Sequence, residues 1–291
     1  MKILAFDIGG TKIAHALVDE QGNLISERSK NDTPKTAAAI ETLLRNVIAQ
    51  YENETDAVAI ATAGAVDNDN TRIISSIPNL PKGYDKTDFA ALSSKPVVVE
   101  NDANAVAWAE YFAGAGKGCR HMIVVAIGTG VGFGIIIDGK MLRGKSGTAG
   151  EAHYPINRGR KRKCGCGAYD CFEIYTSGKA LALDAQEAFN NPQMTTHQLI
   201  ELKQKGDAKA MAVFDEWCGD IVSGIRGLAT LFDPEKIILF GSLVEYIDVE
   251  KMAIAANQEI VASPFKLEKA RFGNNAALIG AALLAVDKLK N

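Results

Sequence analysis

The stretch FDIGGTKIAHALVDEQGN, Phe6 to Asn23, decides the fold. A short apolar run ends in Asp7-Ile8-Gly9-Gly10-Thr11-Lys12, and a second, alternating apolar run begins at once with no helical spacing between them. Lys2 to Phe6 reads as a buried strand, Ile13 to Val18 as another, and Glu20 to Asn23 as a turn into a third strand at Leu24 to Arg28. In a dinucleotide-binding fold the glycine turn would open a helix; here it opens a strand. Glycines at a strand end let the backbone turn with positive φ and approach a ligand closely, and exposed amides there suit phosphate.

The unit recurs in MIVVAIGTGVGFGIIIDGKMLRG, Met122 to Gly144. Met122 to Ile127 leads through Gly128-Thr129-Gly130 into Val131 to Ile137, then an Asp138-Gly139 hairpin turn and a strand from Met141 onward. Between the copies the spacing predicts a helix at Ala37 to Tyr51, strands at Ala57 to Thr62 and Pro96 to Glu100, and a helix at Ala103 to Gly114. After the second copy come a Gly- and Cys-rich loop, Gly144 to Gly178, and mostly helical sequence. One more buried strand, Lys236 to Phe240, ends in Gly241-Ser242, and Asn275 to Lys288 reads as an amphipathic helix. Alone, each glycine turn is consistent with a simple hairpin. A duplicated one is what two halves of a phosphate clamp around a single nucleotide need, and Asp7, Thr11, Lys12 and Thr129 add an anion for magnesium, hydroxyls and a cation.

At 291 residues, 47% hydrophobic and 23% charged, the chain has the composition of a folded globular protein in two lobes. A net charge of -3 gives no global attraction for nucleic acid or anionic membrane. No window reaches a membrane span and no signal-peptide pattern precedes the first strand, so a cytoplasmic protein is expected. The one basic run is Arg158, Arg160, Lys161, Arg162 and Lys163, either a solvated surface or an anion site for a phosphorylated substrate or acidic effector. His15, His121 and His197 read as structural, and Cys119 and Cys218 as core or inert thiols.

Taken together, DIGGTK (7–12), ENDANAVAWAE (100–110), IGTGVGFG (127–134), GTAGE (147–151), CGCGAYDCFE (164–173) and GAALLA (280–285) resemble, in this order, the ROK family of the actin-like, hexokinase-like ATPases. The resemblance covers essentially the whole chain. It implies an α/β, duplicated RNase-H-like fold with two lobes around a central cleft; closure on sugar is expected because such a cleft must exclude water from the phosphoryl group. The first lobe is expected at 1–115, with the helix of about 275–291 packing back on it, and the second at 116–274. It also implies ATP and magnesium, a small-molecule sugar and a homodimer.

Phosphoryl transfer to a sugar hydroxyl needs a base near the attacking oxygen, neutralisation of the γ-phosphate and exclusion of water. Asp102 is the candidate base; an aspartate just after a strand can equally be the N-cap of the next helix. Asn101 offers a donor and an acceptor to sugar hydroxyls. The resemblance places Asn101, Asp102, Glu151, His153 and Glu173 at the sugar, although Glu151 in its glycine-rich loop also fits an exposed surface. It places Gly9, Gly10, Thr11, Lys12, Thr129 and Gly130 at the phosphates, Asp7 near magnesium, and Gly241 and Ser242 by the adenosine. Serine replaces the family's second glycine there, and its side chain is expected to crowd the nucleoside.

Cys164, Cys166 and Cys171, with His153 upstream, make a closed tetrahedral donor set of the structural-zinc type. Small buried cysteines are the alternative. The family carries this zinc site, but its Gly-Glu-x-Gly-His pattern is one residue shorter here, as Gly150-Glu151-Ala152-His153-Tyr154. Either His153 keeps the ligand role or Tyr154 takes the histidine position. Asp170 replaces the glycine before the third cysteine, so a different backbone is expected at that turn.

The resulting expectation is an ATP-dependent kinase for the 6-hydroxyl of a hexose or N-acetylhexosamine. N-acetylmannosamine leads on AIATAGAVD (59–67) and AWAEYF (107–112), with glucose, fructose and allose as alternatives. A sugar-binding sensor without turnover is the different class. The family's repressors carry a helix-turn-helix domain ahead of the first glycine motif, for which the six residues before Asp7 leave no room.

Overall fold

The computed structural model describes residues 1–75, 79–156, 159, 162–258, 260–261 and 263–290. The first half of the chain forms β1 (Lys2–Ile8), β2 (Lys12–Asp19), β3 (Ser29–Asp32), α1 (Ala37–Tyr51), β4 (Ala57–Thr62), β5 (Val97–Asn101) and α2 (Asp102–Ala113). The second half gives β6 (Met122–Ile127), β7 (Val131–Ile137), β8 (Lys140–Met141), α3 (Glu173–Thr176), α4 (Gly178–Phe189), α5 (Thr196–Gln204) and α6 (Ala208–Phe232). It ends with β9 (Lys236–Phe240), α7 (Val249–Asn257), β10 (Lys266–Lys269) and α8 (Ala276–Lys290).

The strands form two sheets of five, ordered β3-β2-β1-β4-β5 and β8-β7-β6-β9-β10. These are the same order twice. In both, antiparallel strands occupy one side (β3 on β2 and β2 on β1; β8 on β7) and parallel strands the other (β1, β4, β5; β6, β9, β10). By contact the chain divides into two compact units, one of Met1–Gly118, Gly134–Gly150 and Arg271–Asn291, the other of Cys119–Phe133 and Glu151–Ala270.

In the first unit, β1 alternates large and small. Leu4, Phe6 and Ile8 lie in one buried cluster with Val58 and Ile60 of β4 and with Ile40, Leu44, Val47 and Ile48 of α1. That i, i+4, i+7, i+8 spacing is one face of a helix, and the side chain of Thr36 caps it by accepting from Ala39 N–H. On the other face of the strands the alternation leaves Ala5, Ala16, Ala59 and Ala61, all buried.

Helix α8 packs against β1, β4 and α2 and is buried without interruption from Ala276 to Val286. The expectation of an amphipathic tail is therefore corrected. A helix enclosed between a sheet and another helix has no solvent face to mark with polar residues. Its approach to α2 is close: a Cβ on Gly280 would lie 1.7 Å from the carbonyl oxygen of Ala105.

The third strand is also displaced, to Ser29–Asp32 from the expected Leu24 to Arg28. Leu24 makes only an isolated bridge to Val18, and the hydroxyl of Ser26 takes the N–H of Leu17 at 2.9 Å. A side chain standing in for a backbone acceptor interrupts the ladder there, and regular pairing resumes only at His15 with Ser29. The strand β10 carries no alternation that marks it in the sequence.

Candidate active site

In the first unit the parallel register aligns Ile8 with Thr62, and Thr62 with Asn101. The glycine turn after β1 and the Asn101-Asp102 pair after β5 thus leave the same edge of one sheet. Gly9 N–H donates to the carbonyl of Lys12 at 3.0 Å, and the hydroxyl of Thr33 donates to the carbonyl of Gly9 at 2.6 Å. Gly10, Thr11 and Lys12 are exposed, and Lys12 pairs with Asp32. Asp7 faces the same side of the sheet as Ala5. Burial pushes its carboxyl up, and Arg28, 3.9 Å away, opposes part of that shift.

The N-cap of α2 is Asn101, not Asp102. Its Oδ1 accepts from Asn104 N–H at 3.1 Å while its Nδ2 donates to the carbonyl of Gly64 at 3.1 Å. Asp102 occupies the first helical position, with Oδ1 accepting from Ala103 N–H at 2.8 Å. A carboxylate in the first turn is favoured by the helix dipole. The cap role offered as an alternative for Asp102 thus belongs to its neighbour.

The second unit repeats the arrangement. Ala126 of β6 pairs with Phe240 of β9, so Gly128-Thr129-Gly130 and Gly241-Ser242 leave one sheet edge. Gly128 N–H donates to the carbonyl of Gly130 at 2.9 Å, and Gly178 N–H, at the start of α4, donates to the carbonyl of Gly128 at 2.9 Å. A helix N-terminus therefore abuts the turn, an arrangement that favours anions. Gly241 has φ 128, and a Cβ there would lie 1.9 Å from the carbonyl oxygen of Ile127, so no side chain fits. Ser242 by contrast is exposed, at the start of a short 3-10 turn over Ser242–Tyr246.

Glu173 accepts the N–H of Val131 on Oε2 at 3.1 Å, which ties it to the Thr129-Gly130 turn. Glu151 and His153 are partly exposed and lie together, Oε2 to Nδ1 at 3.5 Å. Burial pushes the Glu151 carboxyl up, with His153 opposing and Glu173 adding to the shift.

The ligand atoms of His153, Cys164 and Cys166 lie within 4.8 Å of one another, and Cys171 Sγ is 3.5 Å from Cys166 Sγ. A tetrahedron with metal–sulfur bonds of ~2.3 Å has edges of ~3.8 Å; the grouping of His153, Cys164 and Cys166 is of that order, and Cys171 stands beside Cys166. Tyr154 is not among them. Its ring stacks on Phe172 at 5.5 Å and 8°, and its hydroxyl donates to the carbonyl of Gly224 at 3.0 Å.

Asp170 has φ 58, the left-handed conformation that favours glycine. Its side chain accepts from Arg162 N–H at 3.0 Å and from the Tyr175 hydroxyl. Arg162 in turn binds Asp184 at 2.6 Å and Glu187 at 3.1 Å and lies over the Tyr175 ring. This member of the basic run is committed to internal acids; Arg158, Arg160 and Lys161 lie outside the described residues, and Lys163 is exposed.

Sequence reasoning missed the cap at Asn101, the hydroxyl of Thr33, the start of α4 and the buried Glu100. Only the last left a signal, a carboxylate closing the apolar run VVVE.

The ROK family model matches residues 3–288. A glucokinase of Streptomyces coelicolor is 35% identical over 314 aligned residues, covering 97% of this chain and 96% of that one. An N-acetylmannosamine kinase of Pasteurella multocida is 32% identical over 300, covering 100% and 98%. Among solved structures, a ROK family glucokinase from Streptomyces griseus in complex with glucose and AMPPNP superposes with a TM-score of 0.84 at 32% identity, covering 99% of this chain and 100% of that one. The two matching sheets are those of the actin-like ATPase fold. With the duplicated glycine turns and the full-length match, the chain belongs to the ROK family, among its sugar kinases.

Proposed function

We propose that this protein transfers the γ-phosphoryl group of ATP to the 6-hydroxyl of an N-acetylhexosamine or hexose, with N-acetylmannosamine as the first reading. The observation that carries the kinase reading is the pair of glycine turns at equivalent sheet edges, one of them in register with Asn101-Asp102. Glucose is the second reading, favoured by the 35% identity to the Streptomyces coelicolor glucokinase.

Asp102 orients the sugar hydroxyl and accepts its proton as the oxygen–phosphorus bond forms. A carboxylate is too weak a base to take that proton beforehand, so the transfer accompanies bond formation. Asn101 has spent one amide hydrogen on Gly64 and one lone pair on Asn104, and offers the other of each to the sugar. Glu151, His153 and Glu173 hold further hydroxyls. The turn from Gly9 to Lys12 and Thr129 with Gly130 meet the phosphates, Gly9 by shaping the turn, since its N–H is bound to the Lys12 carbonyl, and Gly241 and Ser242 lie by the nucleoside. Asp7 would hold magnesium, which neutralises phosphate charge when bound.

A structural zinc ion held by His153, Cys164, Cys166 and Cys171 belongs to the same reading. Burial and the neighbouring thiols push the Cys171 thiol up to about 12, a cost that a divalent cation removes by taking the thiolate form. Glu151 Oε2 lies 3.5 Å from His153 Nδ1, so the proposed zinc loop and the proposed sugar contact adjoin.

ADP release from magnesium-ATP across N-acetylmannosamine, N-acetylglucosamine, glucose, mannose, fructose and allose tests this. One sugar is expected to stimulate strongly, and Asp102→Asn to lower kcat by about 10²–10⁴-fold. Absence of stimulation by every sugar in zinc-replete protein would overturn the kinase reading in favour of a sensor.

A further inference from the structure

Glu100 closes β5 one residue before Asn101 and is 1% exposed. A carboxylate so deeply buried is stable only if its lone pairs and charge are met. Four donors meet them. Oε1 accepts the backbone N–H of Asn101 at 2.8 Å and Asn104 Nδ2 at 3.1 Å; Oε2 accepts Asn70 Nδ2 at 3.0 Å and the guanidinium of Arg143.

The two oxygens serve different parts of the first unit. Oε1 grips the junction of β5 and α2, on both sides of Asp102. Oε2 gathers two loops. Asn70 stands at φ 60 in the turn that follows Asp67 and also donates to the carbonyl of Val99 at 2.7 Å, while Val99 N–H donates back to the Asn70 carbonyl at 2.8 Å. Arg143 opens the segment that runs to Gly150, the residue before Glu151. That segment is joined to the first loop by Asn68 Nδ2, which donates to the carbonyls of Gly144 at 3.3 Å and Lys145 at 3.0 Å.

We infer that Glu100 is a positioning residue that fixes the Asn101-Asp102 junction and ties it, through Arg143, to the segment leading into Glu151. This rests on the reading of Asp102 as the base. Glu100 acts through its bonds to Asn101, Asn104, Asn70 and Arg143. The side chain of Asp102 leaves the first residue of a helix whose start is held by Asn101 and Asn104, and both are bonded to Oε1. A base displaced by a fraction of an ångström loses rate although its chemistry is unchanged.

Glu100→Gln keeps an acceptor for the junction but sets an amide NH2 against the donors Asn70 and Arg143. Arg143→Met removes the cation, and Arg143→Lys returns a charge able to pair with Oε2. Steady-state kinetics on the stimulating sugar, on variants shown folded at the assay temperature by circular dichroism, are expected to give a kcat loss of about 10- to 100-fold for Glu100→Gln and Arg143→Met. The KM for ATP should stay within about twofold, because the Gly9 to Lys12 turn makes no bond to Glu100, and Arg143→Lys should recover most of the rate.

A kcat within about twofold of the parent in both loss variants would overturn the inference, as would a loss in proportion to the folded fraction or no recovery with lysine. If Glu100→Gln does not fold, the Arg143 pair decides by the same criteria. Asp102→Asn run alongside separates the two readings. An unimpaired Asp102→Asn removes the base assignment, whereas an impaired one with unimpaired Glu100 and Arg143 variants removes only the positioning role.

Discussion

Single residues in this protein show how a neighbour decides what a side chain is for. Asp102 follows a strand and precedes a helix, which suits a cap, yet Asn101 takes the cap and Asp102 becomes the first helical residue. His15 shows the effect on charge. It is 7% exposed, its ring lies 5.8 Å from that of Phe6 and 6.2 Å from that of Tyr51, and Nδ1 makes no hydrogen bond among the described residues. Burial lowers its proton affinity from the ordinary 6.5. The folded protein therefore holds His15 neutral while the unfolded chain protonates. Stability from this group is full above pH 6.5 and is lost as pH falls below it, by at most about 1.4 kcal/mol per pH unit. Urea midpoints measured from pH 7.5 down to about 5 should fall, and His15→Phe should flatten that part of the profile.

At the scale of elements, α8 is the least forgiving piece. It is enclosed by the sheet and by α2, and a Cβ at Gly280 would run into the α2 backbone at Ala105. Gly280→Ala adds one methyl where there is no room. A loss of about 1–3 kcal/mol or more is expected, despite the better helix propensity of alanine. Equilibrium urea unfolding measures it. Because Gly280 meets α2 at Ala105, the fourth residue of that helix and three after Asp102, the sugar-stimulated rate per folded molecule should fall as well. Unchanged stability would mean that α2 and α8 can separate without cost. Much of this level was legible: α1, β4 and β9 lie where their apolar spacing put them. The third strand was not, because the hydroxyl of Ser26 replaces a ladder hydrogen bond and no periodicity records such a substitution.

At the scale of the whole molecule, each compact unit carries one of the chain's two tryptophans, Trp108 in the first and Trp217 in the second. Both are buried, and Trp217 Nε1 donates to the carbonyl of Ser177 at 3.3 Å, beside the start of α4. The proposed zinc site belongs wholly to the second unit, so the two residues can report on its removal separately. In single-tryptophan proteins, a strong zinc chelator is expected to lower the thermal midpoint reported by Trp217 by several degrees more than that reported by Trp108. Equal shifts would show that the units melt as one, and no shift, with no zinc in the purified protein, would remove the metal from the reading.

The sequence by itself determined the duplication and the family, because a glycine turn between two apolar runs is local and survives in one dimension. It also pointed to the grouping of His153 with Cys164 and Cys166, since ligand chemistry resides in residue type and spacing. Only the tertiary structure decided which side chain caps α2, that Tyr154 is packed against Phe172 instead of joining the cysteines, and that Asp170 adopts the conformation of a glycine. It alone showed that Glu100 gathers residues from 70, 101, 104 and 143. Such hydrogen bonds join positions tens of residues apart and follow from distance and burial in three dimensions, which the order of residues along the chain does not record.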